Sequence, residues 1–332
     1  MTPHTLAFAV LIASAAPPGP LENRDAQAWN IWHNWGDNEW YCRTERSDVK
    51  LYVREIGIGE PVLVLHGGWG AEHSYLTELI DPHVFDRRFI LYDQRGSLRS
   101  PAPADAITLE RHIEDIERIR TQLGLERIDI LAHSQGTFLA MAYLKAHPGR
   151  AGALTLVGAV RAHHPLPKPE DGAVLEKPGF SMKDWVQREE FWQELEREGV
   201  KPEPGRRDDE LPDKPFTKQW RISFAAANLY NVDRWRQMRG GHIFYNPSVY
   251  AAMRDSIPKE RNFVPLLAAH DRPVTVILGD HDIVDFGGHY WSWVARNNPK
   301  IRLSPIDNAG HNSWVDAPEA VEAAVKGALA QI

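Results

Sequence analysis

Apolar residues cluster in short runs over much of the chain, the pattern of strands buried on both faces of a parallel sheet. Val62-Leu63-Val64-Leu65, Phe89 to Tyr92, Ile128 to Ala132, Ala153 to Val160 and Val274 to Leu278 are such runs, with Leu51-Tyr52-Val53 before them and Ile301-Arg302-Leu303 after. Between them the period changes. Leu109, Ile113, Ile116, Ile119 and Leu123 mark one face of a helix that Gly124 ends, and a second helix follows Ser134 to about His147-Pro148. Strands alternating with helices predict an α/β chain with a mostly parallel twisted sheet flanked by helices.

From about Arg161 to Arg261 this alternation stops. Trp, Pro and charge increase, helices are expected near 183–198 and 217–238, and Lys201 to Pro215 reads as a Pro- and charge-rich loop. So long an interruption predicts an inserted helical cap over the active site. The core then splits into 47–160 and 265–332 around a cap at 161–264, and a last helix spans about 317–330. Residues 17–46 form a Trp-rich extension, in which Trp29, Trp32 and Trp35 at one-turn spacing predict an amphipathic helix laid on the body, with a dimer contact as the alternative. Trp40 and Tyr41 lie beyond it. Residues 1–16 resemble a secretory signal: Leu6 to Ile12 is apolar and Ala13-Ser14-Ala15 suits cleavage, although Met1 to Thr5 holds no Lys or Arg. Secretion or export to the periplasm is therefore expected, a tail on a cytoplasmic enzyme being the alternative. The apolar run is too short for a membrane span.

Composition narrows the function. With 38 Lys and Arg against 45 Asp and Glu the net charge is −7, and no basic stripe suggests nucleic acid. Cys42 is the only cysteine, so neither an internal disulfide nor a cysteine-based metal site is available. His163-His164, and His281 between Asp280 and Asp282, do not stand at metal-ligand spacing. No metal or other cofactor is expected.

The strand at 128–132 runs into Ser134, flanked by Ala132 and Gly136, and a helix follows. A serine between small residues at a strand-to-helix turn is the nucleophile elbow, here with Ala132 for the first glycine. The tight turn strains the serine backbone, exposes its hydroxyl, and aims the free N–H groups of the next helix at the reacting centre. A serine hydroxyl needs a base, and the base needs an orienting acid. His311 follows the strand near 301–306, and Asp282 follows the strand at 274–278. Asp280 reads as a turn former and Asp285 as a rim or structural carboxylate. The loop His66-Gly67-Gly68-Trp69-Gly70 ends another strand. Its Gly68 N–H, together with the Gln135 N–H, is expected to stabilise an oxyanion, and His66 is expected to be structural. No Gly-Lys-Ser/Thr follows that loop, so it is not a phosphate cradle.

These residues resemble the proline iminopeptidases, within the α/β-hydrolase fold. The family's His-Gly-Gly-Pro-Gly loop is similar to His66–Gly70, its Asp-Gln-Arg-Gly-x-Gly-x-Ser to Asp93–Ser100, and its helix and elbow to Asp115–Arg127 and Ser134–Pro148. The resemblance covers about 49–160 and 270–325, roughly half the chain. It implies a serine hydrolase, with Ser134 as nucleophile, Asp282 as acid, His311 as base, and Gly68 and Gln135 as oxyanion donors. A small molecule or short peptide is the implied substrate, cut at an N-terminal prolyl amide. A small-molecule esterase or lactonase of the same fold is the alternative, and a non-catalytic binding protein is the alternative of another class. Dehalogenase and epoxide hydrolase chemistries place Asp where Ser134 stands. Trp69 replaces the loop proline, Leu98 a glycine, and Ala132 and Gln135 the family's Gly and Trp around the serine. The family's cap carboxylates hold the substrate ammonium. Glu189, Glu190, Glu194 and Glu196 are available here, each with a solvated helix face as the alternative, and Glu189 and Glu190 together with Trp69 are the pocket candidates.

Overall fold

The computed structural model describes residues 38–80, 85–168, 175, 177–201, 214–238, 246–285 and 287–331. The signal-like segment, the Trp29–Trp35 helix and most of the Lys201–Pro215 loop lie outside the described residues. The strands are β1 (Asn38–Arg43), β2 (Lys50–Ile56), β3 (Glu60–Leu65), β4 (Arg87–Tyr92), β5 (Ile128–His133), β6 (Ala151–Val157), β7 (His163–His164), β8 (Arg261–Asn262), β9 (Val274–Gly279) and β10 (Ile301–Ile306). The α-helices are α1 (Leu109–Gln122), α2 (Gln135–Ala146), α3 (Met182–Val186), α4 (Glu189–Arg197), α5 (Lys214–Asn228), α6 (Pro247–Met253), α7 (Val264–Ala269), α8 (His289–Asn297), α9 (Ser313–Asp316) and α10 (Pro318–Leu329).

One sheet runs in the order β1-β2-β4-β3-β5-β6-β9-β10. Every pairing from β4 to β10 is parallel, and the two pairings made by β2 are antiparallel. The continuous apolar runs divide by the two-residue period of a strand. Leu63, Leu65, Ile90, Ile130, Leu154 and Val276 enter a core on one face, while Val62, Val64, Phe89, Leu131, Val157 and Ile277 enter a core on the other. Helices α1, α2 and α8 cover the first face through Ile116, Ile119, Leu139, Trp291 and Val294. Helix α10 covers the second through Val321, Val325 and Leu329.

The side chain of Thr108 caps α1 by accepting from the Arg111 N–H, and Gly124 follows the helix at φ 69°. Beneath α1 lies a buried ion pair. Arg95 donates to both oxygens of Asp115, at 2.7 and 2.5 Å, and to the Ala106 carbonyl at 2.7 Å, and both side chains are fully buried.

Two expectations shift. Asn38–Arg43, read as part of the extension, is the edge strand β1: Cys42 faces inward and the Trp40 indole donates to Glu55 at 2.6 Å. The strand expected to reach Val160 ends at Val157, because Gly158 turns the chain at φ 53°. Strands β7 and β8 pair antiparallel and form the neck through which the chain leaves and re-enters the sheet region. Between them lie α3 to α6, of which α5 is 15 residues long, and α4 buries Leu195 against Ile222 and Trp235. No helix among the described residues is long and apolar enough to cross a membrane.

Candidate active site

The turn after β5 holds Ser134 at φ 54°, ψ −125°, one of only two non-glycine residues at positive φ among the described residues. A side chain there is strained, and the surroundings must impose it. They do so by close packing. A Cβ on Gly136 would meet the Leu65 carbonyl oxygen at 2.4 Å, and one on Gly67 would meet the Ser134 Cβ at 2.6 Å. The Ser134 N–H is held by the Val157 carbonyl at 3.1 Å. Gln135 begins α2, so its N–H is among those a helix leaves without an intrahelical acceptor.

Asp282 and His311 come together at the ends of the neighbouring strands β9 and β10. The His311 Nδ1 lies 3.0 and 2.9 Å from the two carboxylate oxygens of Asp282, and both residues are buried. Asp282 also accepts from the Val284 N–H at 2.8 Å, which fixes its plane. With Nδ1 donating to the carboxylate, Nε2 of His311 is left as the basic atom. The ring has room because residue 158 is glycine: a Cβ there would lie 3.0 Å from Cε1 and Nδ1. The His311 ring packs against that of His133, with centroids 4.7 Å apart, and His133 immediately precedes Ser134. Among the described residues no hydrogen bond joins the Ser134 hydroxyl to His311. Such serine–base contacts often tighten only in the complex with substrate.

The two other carboxylates of the loop after β9 have different roles. Asp280 accepts from the Ala309 N–H at 3.1 Å and contacts the His281 Nδ1 at 2.7 Å, the work of a turn former. Asp285, expected at a rim or as a structural group, is fully buried and accepts from the Trp291 N–H at 3.2 Å. Burial, reinforced by the charge of Asp282, pushes its carboxyl well above the ordinary range. A carboxyl raised in the folded state adds stability at low pH and loses it progressively as pH rises from its unfolded value, near 4, through its folded one. Asp285→Asn is therefore expected to flatten the fall in stability as pH rises above about 4. Urea denaturation of both proteins across that range checks it.

The glycine loop after β3 is tied down at both ends. The His66 Nε2 accepts from the Gln94 N–H at 3.0 Å, and the Gln94 amide donates to the His66 carbonyl at 2.8 Å. Burial pushes the His66 imidazole below its ordinary range, so it stays neutral, as its structural role requires. The Gly67 N–H donates to the Tyr75 hydroxyl at 2.6 Å, whereas no such partner holds the Gly68 N–H among the described residues. Glu72, His73 and Asp93 stand behind this loop with ligand atoms within 4.8 Å of one another, and Arg99 pairs with both carboxylates at 3.2 and 3.4 Å. Burial alone would raise Asp93, but the hydrogen bond and charge of His73 outweigh it and hold the carboxyl at about 2.

The expected pocket residues fare differently. Trp69 was expected in the pocket wall, but its ring is in the core, 2% exposed and edge-on to His112 and Phe138. Glu189 and Glu190 are exposed at the start of α4, and Glu189 accepts from Gln193. Glu194 is the buried carboxylate of that helix. It accepts from the Trp235 indole at 2.6 Å and pairs with Arg236 at 3.0 Å and with Arg197. The segment between β7 and β8 is docked on the loop after β10. The Asn312 N–H donates to the Asn228 carbonyl at 2.9 Å, and Asp316 accepts from Gly310, Tyr230 and Asn231. On the loop after β9, His281 stacks on Trp185 with centroids 5.1 Å apart.

The family model described as "alpha/beta hydrolase fold" matches residues 60–318. The chain belongs to the α/β-hydrolase family. A proline iminopeptidase of Heyndrickxia coagulans is 44% identical over 96 residues, 28% of this chain and 33% of that protein. The match thus spans about a third of the length of such curated relatives. A probable proline iminopeptidase of Streptomyces coelicolor is 28% identical over 293 residues, covering 80% of this chain and 87% of the relative. Among solved structures, a thermophilic esterase from Thermogutta terrifontis superposes with a TM-score of 0.61 at 21% identity, covering 88% of this chain and 98% of that one. That likeness is one of fold.

Proposed function

We propose that this α/β-hydrolase is a serine hydrolase that cleaves an amide or ester through an acyl-enzyme. The observation that carries the reading is Ser134 held at φ 54° next to His133, whose ring lies 4.7 Å from that of His311 in the buried His311–Asp282 pair. In the mechanism, the Ser134 hydroxyl attacks the substrate carbonyl as Nε2 of His311 takes its proton. Asp282 holds the His311 ring and stabilises the imidazolium. The negative charge that forms on the carbonyl oxygen is met by the N–H groups of Gln135 and Gly68, each worth roughly 3 kcal/mol in the transition state. His311 then protonates the leaving group, and water, activated by the same base, releases the acyl group.

An N-terminal prolyl residue or a close analogue is the substrate we favour, on the names carried by the relatives, one of which aligns over 80% of the chain. One observation favours a small ester instead. Of the α4 carboxylates available to hold an ammonium, Glu194 is already committed to Arg197, Arg236 and Trp235. Paired assays with a proline arylamide and short-chain aryl esters test this. A kcat/KM for the amide at least equal to that for the esters supports the peptidase reading. Ester turnover alone would assign the esterase reading, and no turnover of either would favour a binding protein.

A further inference from the structure

The site contains a second buried histidine and a buried tyrosine that the mechanism above does not use. Tyr75 lies in the short 3-10 turn His73–Glu78, and His133 is the last residue of β5. Both are less than 5% exposed. Their polar atoms form a chain across the site. The Gly67 N–H donates to the Tyr75 oxygen at 2.6 Å, that oxygen lies 2.7 Å from His133 Nδ1, and His133 Nε2 lies 3.3 Å from the carbonyl oxygen of His311. The direction of the proton at each link follows from the inventory of groups. A carbonyl only accepts, so His133 donates from Nε2; a neutral imidazole then accepts at Nδ1, and Tyr75 must be the donor to it. The Tyr75 oxygen is left to accept from the Gly67 N–H, and every link is satisfied.

This chain joins three loops that leave three different strands: the glycine loop after β3, the nucleophile turn after β5, and the base loop after β10. Ring packing follows the same path. Trp314 lies 4.8 Å from the His133 centroid and 6.1 Å from that of Tyr75, and the His133 and His311 rings are 4.7 Å apart. The contact also selects a donor. Because Tyr75 consumes the Gly67 N–H, the next amide, that of Gly68, is left to meet an oxyanion.

We infer that Tyr75 and His133 are positioning residues that set the Gly68 amide and the His311 base in register with Ser134. The inference rests on the serine-hydrolase reading. Its effect belongs to the transition state, because the oxyanion and the imidazolium exist only there.

Tyr75→Phe removes one oxygen and leaves the Gly67 N–H buried without an acceptor. His133→Phe keeps a ring and removes both links, whereas His133→Gln offers an acceptor and a donor on one side chain. On the substrate that the wild type turns over, Tyr75→Phe and His133→Phe are expected to lower kcat roughly 10- to 100-fold with KM within about threefold. His133→Gln is expected to recover most of the loss. Affinity for a trifluoromethyl ketone, whose serine adduct carries an oxyanion, should fall in step with kcat/KM, which loosened packing alone would not produce. Wild-type kcat in both phenylalanine variants overturns the inference, as does a loss confined to KM. If either phenylalanine variant fails to fold, the glutamine variant decides: folded protein with kcat as low as that of a Ser134→Ala variant overturns it. Failure of the serine-hydrolase reading looks different, since the wild type would then neither turn over substrate nor bind the ketone.

Discussion

Ser134→Ala is expected to lower kcat by about 10⁴-fold or more while the protein stays folded. The size follows from what is removed. Without the oxygen there is no acyl-enzyme, and His311 has no hydroxyl to deprotonate. What survives is substrate binding and the amide donors Gln135 and Gly68, which alone leave only a residual acceleration over water. The fold should be nearly indifferent. The strain at φ 54° is imposed by neighbours such as Leu65 and Gly136, which the substitution leaves in place. Stability is therefore expected to change by no more than about 1 kcal/mol. Steady-state turnover and urea denaturation of the same preparation check both halves. Near-normal turnover in the folded variant would remove Ser134 from the mechanism.

Asp115→Ala is expected to destabilise the protein by about 3–5 kcal/mol. Arg95 has no exposed side-chain surface, and it donates to Asp115 through two nitrogens. Removing the carboxylate strands a guanidinium that has the Ala106 carbonyl at 2.7 Å and Glu45 at 3.4 Å as its remaining acceptors. The double variant Arg95→Met, Asp115→Leu removes both charges and should be much less destabilised than the single one. A shift in the urea midpoint at constant slope would measure each. A single variant as stable as the wild type would show that the pair contributes nothing to the fold. The pair fixes the Asp93–Ser100 turn against α1, and the same turn supplies Asp93 to His73 and Gln94 to His66. A partial loss of activity should accompany the loss of stability.

Much of the site could be read along the chain because each part has a local cause. Ser134 between Ala132 and Gly136 is a steric requirement of the turn, and the turn has that geometry. Asp282 and His311 each lie just past an apolar run, and a parallel sheet brings neighbouring strand ends together without further information. The alternation of Val62, Leu63, Val64 and Leu65 between two cores is likewise a property of the strand alone.

What escaped the sequence depends on partners far away in the chain. Nothing near Trp69 indicates whether a loop side chain turns toward a pocket or into the core, because His112 and Phe138 take its ring. Glu194 looks like Glu189 and Glu190 until Trp235 and Arg236 are brought to it by the packing of α4 on α5 and the turn after it. The strand Asn38–Arg43 carries Trp40 and Cys42 on alternate positions, a period-two signal too short to stand out beside Trp29, Trp32 and Trp35. Tyr75 is 58 residues from His133, and only the fold brings the phenol to the imidazole.

The most direct test of the account is covalent labelling with a fluorophosphonate, read by intact mass and peptide mapping. The account predicts one adduct per chain, on the Ser134 oxygen, that fails to form in His311→Ala. A wild-type chain that stays unmodified under conditions that label a known serine hydrolase, or an adduct on another residue, would contradict it.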